Sequence, residues 1–206
     1  MNKEYIYQYL HLNNNHKDID QLIDQCIDEV KNLSLFKCVY QRLKLKHHPL
    51  RINEYLLDNQ DLNYYLKDCD EVIIIGCTLG SEIDRKIKYY EKIDMAKAVV
   101  FDAVASSYLE QCCDEYEKRF NLSKRTFRLA PGYGNIPLEY NLYLSKILNI
   151  QSSLYVDINS GGIMTPMKSM LGIIGVGANI KKTCMSCLNE KHCLLKKEGM
   201  TCYVKD

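Results

Sequence analysis

Hydrophobic positions along the chain fall into runs of distinct period. Between Ile19 and Leu33, Ile19, Leu22, Ile23, Cys26, Ile27 and Val30 recur every three or four residues, which predicts a helix with one wet face. Leu35–Leu45 then alternates, with Leu35, Val39, Leu43 and Leu45 between polar neighbours, and predicts a strand. Asn53–Leu66 predicts one or two short helices. Glu71–Cys77 (EVIIIGC) is a short β-branched run of the kind that fills a buried strand.

That strand runs into Thr78-Leu79-Gly80-Ser81, after which Glu82–Lys92 is helical. Ser81 with Asp84 three residues later resembles a capping box built with the shorter acid. A glycine-flanked turn before a helix N-terminus either offers backbone N–H groups to an anion or carboxylate, or is simply a tight strand–helix turn. No Gly-Lys-Ser/Thr follows, so this is not a Walker loop, and the Rossmann fingerprint is absent. Met95–Phe120 predicts the longest helix. It is apolar on so many sides that other elements must pack around most of its girth. Asp102 and Glu110 interrupt it, and each either sits at a gap in the packing or holds a partner. Arg125–Leu129 predicts a short strand, followed by the turn-rich loop Ala130–Pro137 and a helix over Leu138–Leu148. Leu154–Ile158 and Ile163–Val176 predict the last strands, on either side of Ser160-Gly161-Gly162.

Composition narrows the function classes. With 206 residues, 47% hydrophobic and 26% charged, the chain suits one folded domain and is too apolar for intrinsic disorder. Lys+Arg is 27 against Asp+Glu 26, which argues against a general nucleic-acid binder. The longest apolar stretches are far shorter than the roughly 20 residues a spanning helix needs, so no membrane segment is expected. The first twenty residues lack the apolar core of an export signal, so a cytoplasmic location is expected. The ten cysteines are then expected as thiols or metal ligands rather than disulfides. Cys26, Cys38, Cys69, Cys77, Cys112 and Cys113 fall within patterned elements and read as core or half-buried thiols.

The remaining cysteines are concentrated at the end. Residues 1–180 read as the folded domain, and residues 181–206 as a Lys-rich tail of different composition. Cys184, Cys187, Cys193 and Cys202 lie within nineteen residues, where chance would place about one. Two cysteines separated by two residues can turn both sulfurs toward one ion, and the later thiolates can complete the shell. Such a set suits zinc or an iron–sulfur cluster. The alternatives are a reduced tail with accidental thiols, or a redox pair. His192 reads as a neighbour rather than a ligand.

A second candidate is Arg128-Leu129-Ala130-Pro131-Gly132-Tyr133. An arginine at a strand end, followed by a Pro-Gly turn and an aromatic ring, can clasp a carboxylate bidentately; otherwise the stretch is only a turn. RLAPGYGNIP (Arg128–Pro137) resembles the signature of the activation, or reactivation, domain of cobalamin-dependent methionine synthase, an R-x-A-P-G-Y motif followed by a helix. The order of parts is similar too, with a long helix before the motif and a Gly/Ser-containing strand region after it. Met164-Thr165-Pro166-Met167-Lys168-Ser169-Met170-Leu171-Gly172 resembles the family's second stretch. The likeness covers about Val72–Gly177.

The resemblance implies an α/β (α+β) fold on a bent, mainly antiparallel sheet with packed helices, binding S-adenosylmethionine. It implies a methyltransferase component whose ligand remethylates the corrinoid once an electron donor, such as flavodoxin or ferredoxin, has reduced oxidised cobalt. In that reading Arg128 binds the methionine carboxylate, Ala130, Pro131 and Gly132 form the backbone wall, and Tyr133 lines the pocket. The family's helix glutamate falls on Glu110, or on Ser106 under a four-residue shift. The family's further acidic ligand has no assigned counterpart, and the four-cysteine tail lies outside the resemblance. Cobalamin is expected on a partner, a corrinoid-binding methionine synthase or related methyltransferase, with Lys168 as an exposed charge at the contact rim. Two other functions remain open at this point: an iron–sulfur electron-transfer protein for corrinoid reduction, and a zinc-stabilised interaction module.

Overall fold

A computed structural model describes residues 1, 3–12, 17–180, 184, 191, 194–197, 199 and 201. Helices α1 (Lys3–Tyr9) and α2 (Lys17–Leu33) precede strand β1 (Lys37–Lys46). A hairpin of β2 (Arg51–Ile52) and β3 (Tyr55–Leu56), helix α3 (Gln60–Leu66) and strand β4 (Glu71–Thr78) follow. Helices α4 (Ser81–Ile93) and α5 (Met95–Glu117) come next, then α6 (Tyr140–Leu148) and α7 (Ile150–Leu154). The short strands β5 (Asp157–Ile158) and β6 (Met164–Thr165) pair with each other, and β7 (Ser169–Val176) joins the main sheet.

The main sheet is antiparallel and curled, in the order β3-β2-β1-β4-β7. Period-two alternation divides its side chains between two cores. Ile73, Ile75 and Cys77 of β4 face the layer of α1, α2, α4 and α5. Val72 and Ile74 face α3, α6 and α7. Because β4 is central and covered on both faces, its run of isoleucines has no polar alternation, as EVIIIGC implies. Each such isoleucine contributes about 1.5–3 kcal/mol by leaving water. Helix α5 is buried along most of its girth, from Ala98 to Cys113, as its sequence predicts. The six cysteines read as core or half-buried thiols are all buried or half-buried.

Several elements differ from the sequence reading. Of the span Asn53–Leu66 expected as helix, only Gln60–Leu66 is helical; residues 53–56 instead close a hairpin with Arg51–Ile52, because Asn53 takes φ 53° and lets the chain reverse in two residues. Residues 150–154 are helical, leaving only Asp157–Ile158 as a strand there. The expected strand over Ile163–Val176 is broken by Pro166, which cannot donate to a ladder. Segment 125–129 touches the sheet only through isolated bridges, since the Thr126 hydroxyl accepts the Gly175 N–H that a regular ladder would use. The N-cap of α4 is Gly80 at φ 85°, not Ser81. Its turn is closed internally: Leu79 N–H donates to the Lys168 carbonyl and Gly80 N–H to the Thr78 hydroxyl. Those two amides are therefore spent on the fold, and the tight-turn reading holds for them.

Candidate functional site

Helix α5 carries one face that its neighbours leave uncovered or meet with polar groups. Met95, Val99, Asp102, Ser106, Glu110, Asp114 and Glu117 follow one another at spacings of three or four, so they share a stripe. Met95 and Val99 are exposed at its start. The two carboxylates that interrupt the apolar pattern, Asp102 and Glu110, both lie on this stripe and both hold partners.

The wall facing the stripe is segment 125–129. Leu129 and Ile173 exchange both backbone hydrogen bonds at 2.8 Å, which anchors the segment beside β7. Arg128 then lies across Gly172, where a Cβ would come within 2.6 Å of its Cγ. This bare glycine lets the arginine stem cross the strand and reach α5. Its guanidinium is ion-paired with Glu110 and Glu117, and with Asp114 at 3.2 Å. Glu117, 3% exposed at its side chain, is also paired with Arg125. Burial works against the charge on Arg128, yet the charge of Glu110, then Cys113 and Asp114, hold its pKa above the ordinary arginine value. Asp114 is the most exposed of the three carboxylates, its side chain half open to solvent. Tyr9, at the end of α1, lies beside the same stripe.

Farther along the stripe, Lys168 overturns its sequence reading. It is not an exposed rim charge but 9% exposed. Its ammonium reaches inward to Asp102 Oδ1 and Ser106 Oγ, both at 2.8 Å. The physical reason is that a buried ammonium needs a carboxylate and a hydroxyl, and α5 supplies both one turn apart. The preceding loop is pinned by Asp84, whose Oδ2 accepts the Met167 N–H at 2.6 Å.

The Pro-Gly loop is closed by its own backbone and pinned by residues at the start of α3. Tyr133 N–H donates to the Ala130 carbonyl, Gly132 N–H to that of Ile136, and Gly132 takes φ 88°. Pro131 is half-buried in this turn. Buried Asp61 of α3 accepts the Asn135 N–H, and Asn59 donates to the Asn135 carbonyl at 2.8 Å. The Tyr133 ring packs edge-on against Phe127, beside the core under α3 and α6. The structure thus brings Arg128 and Glu110 together, while the Tyr133 ring packs beside the other core. Asp114, Glu117, Arg125 and Asp61 were not singled out in the sequence. The helical spacing of Glu110, Asp114 and Glu117 was a signal that could have found two of them.

Of the four tail cysteines, Cys184 is half-buried, and Cys187, Cys193 and Cys202 lie outside the described residues. Among the described residues, no group of three or more His, Cys, Asp or Glu could hold a metal ion. No helix among them is long and apolar enough to cross a membrane.

No family model matches the sequence, and no curated protein matches it significantly. Among solved structures the chain is similar to a crystal structure of the MetH reactivation domain bound to AdoHcy, with a TM-score of 0.65. That similarity covers 95% of this chain and 80% of the other, at 12% sequence identity. The two share the reactivation-domain fold.

Proposed function

We propose, taking that shared fold as the premise, that the chain binds S-adenosylmethionine along the α5 stripe. In this role it supports reductive methylation of the oxidised corrinoid of a separate cobalamin-dependent methionine synthase or related methyltransferase. The observation that carries the reading is the meeting of Arg128, from RLAPGY, with Glu110 of α5 in a fold whose relative is bound to AdoHcy.

The residues fit such a ligand. The stripe sets the carboxylates of Asp102, Glu110, Asp114 and Glu117 against the cations Arg125, Arg128 and Lys168. One negative charge is left over, which suits a ligand with one net positive charge. Arg128 would take the ligand's carboxylate, and Glu110 and Asp114, its more exposed partners, would be free to turn to an ammonium. Glu117 would stay with Arg125 and keep Arg128 oriented. Exposed Val99 and Met167 would border the apolar part. Bound S-adenosylmethionine supplies an electrophilic methyl group on a sulfonium. A thioether leaves without a proton, so this chain's residues need only position the methyl group and exclude other nucleophiles.

The test is calorimetry with S-adenosylmethionine, followed by reactivation of an oxidised corrinoid methyltransferase with a chemical reductant. Binding by the parent, weakened in Arg128→Lys and Glu110→Gln, is expected, as is faster recovery of methylcobalamin when the protein is added. No binding at millimolar ligand, or equal recovery with and without protein, would overturn the proposal.

A further inference from the structure

The α5-facing side of the sheet holds two thiols, Cys38 and Cys77, that the proposed function does not use. Cys38 of β1 stands directly opposite Cys77 of β4. The kind of pair they form follows from register. Leu45 N–H donates to the carbonyl of Asp70, the residue opposite it, so odd-numbered β1 residues occupy hydrogen-bonded pairs. Even-numbered ones, Cys38 among them, occupy the non-hydrogen-bonded pairs, whose Cα atoms are about 4.5 Å apart and whose side chains lie closest. That spacing is within the range a disulfide spans. The thiols already meet: the Cys77 sulfur lies 3.0 Å from that of Cys38, closer than two unbonded sulfurs ordinarily pack. Cys113 of α5 belongs to the same buried cluster, and its thiol, with that of Cys38 and burial, pushes the Cys77 pKa up. Cys77 and Cys113 are almost fully buried, whereas Cys38 is half-buried, the most exposed of the three.

We infer that Cys38 and Cys77 are a redox-active pair, closed to a cross-strand disulfide by a two-electron oxidant of the peroxide class. Hydrogen peroxide takes an electron pair from the Cys38 sulfur, its O–O bond breaks, and a sulfenic acid and one water form. The Cys77 sulfur attacks the Cys38 sulfur, the S–O bond breaks, and the S–S bond forms. The hydroxyl leaves with the Cys77 proton as a second water. Two thiols and one peroxide thus give one disulfide and two waters. The raised Cys77 pKa slows the second step, and its fixed position against Cys38 offsets that. Closure staples β1 to β4 and consumes the Cys77 thiol. Cys113, in the cluster with Cys77, immediately precedes Asp114, a partner of Arg128.

The experiment uses the full chain, reduced and freed of reductant, then treated with one equivalent of hydrogen peroxide. Remaining thiols are alkylated in denaturant and the digest is mapped by mass spectrometry. A linked Cys38–Cys77 peptide with a two-hydrogen mass loss, abolished by dithiothreitol, is expected in most of the protein. Cys38→Ser should abolish it, and Cys113→Ser should retain it. Recovery of Cys38 and Cys77 as alkylated thiols in the parent, or linkage of Cys77 to Cys113 instead, would overturn the inference without touching ligand binding.

Discussion

Gly172 is the point on β7 over which Arg128 crosses: a Cβ there would meet the arginine Cγ at 2.6 Å and its Cδ at 2.9 Å. The reach of Arg128 to α5 thus depends on a missing side chain in a neighbouring strand. Arg128, Glu110, Asp114 and Glu117 can meet only because β7 is bare at that position.

Gly172→Ala is therefore expected to push the Arg128 stem off the sheet and cost about 1–3 kcal/mol of stability, the range for overpacking. Gly161→Ala, where a Cβ would meet only Asn159 Oδ1 at 3.4 Å, should change little. Urea denaturation of both variants checks this. Equal midpoints would mean that the arginine is not confined by the strand.

Glu117 sits buried between Arg125 and Arg128. Replacing it by Ala leaves Arg128 with only its more exposed partners Glu110 and Asp114 and should cost about 1–3 kcal/mol, the cost of a buried donor losing a partner. Glu115→Ala, on the exposed side of α5, should stay within about 0.5 kcal/mol of the parent. Thermal and chemical unfolding compare the two.

Lys168 and Asp102 form a partly buried pair that bridges the β6–β7 loop and α5. Lys168→Glu should destabilise the fold by placing like charges together, and adding Asp102→Lys should restore part of the loss. A double-mutant cycle is expected to give a coupling of about 0.5–3 kcal/mol. Additive single effects would remove the pair as a structural link.

Glu29 gives a pH dependence with a definite sign. Burial alone would raise its pKa. Hydrogen bonds from Lys86 and Tyr90, with the charge of Lys97, outweigh that and hold it below the usual glutamate value. A carboxyl with a lowered folded pKa contributes stability that is present above its unfolded value and lost as pH falls through the folded one. The stability difference between the parent and Glu29→Gln should therefore be largest near neutrality and shrink below about pH 4, the ordinary range for a glutamate. Denaturation midpoints from pH 7 to 3 measure it.

The tail thiols make a separate expectation. Protein prepared without air should carry zinc or iron in proportion to chain. Ser replacements of Cys184 and Cys187 together should lose it, while Cys112→Ser keeps it. Elemental analysis and visible absorbance distinguish the two metals, and their absence from the parent would end the reading of this tail as a metal site.

What the sequence determined by itself was local. Period three to four made α2 and α5 legible, and an unbroken β-branched run marked β4 as a strand covered on both faces. The charges interrupting α5 marked Asp102 and Glu110 as residues needing a reason to be there. RLAPGY singled out Arg128. Tertiary structure decided which of these groups meet. Lys168 reads in sequence as a solvated charge, because nothing within a few residues could neutralise it; its partners lie on α5, 62 residues away for Ser106. Asp84 reads as half of a capping box, yet its carboxylate is taken by the Met167 N–H, 83 residues distant. Periodicity reports how a segment divides its faces between water and core. It does not report which other segment will cover a face, and the pairing of buried charges is settled only when those surfaces come together.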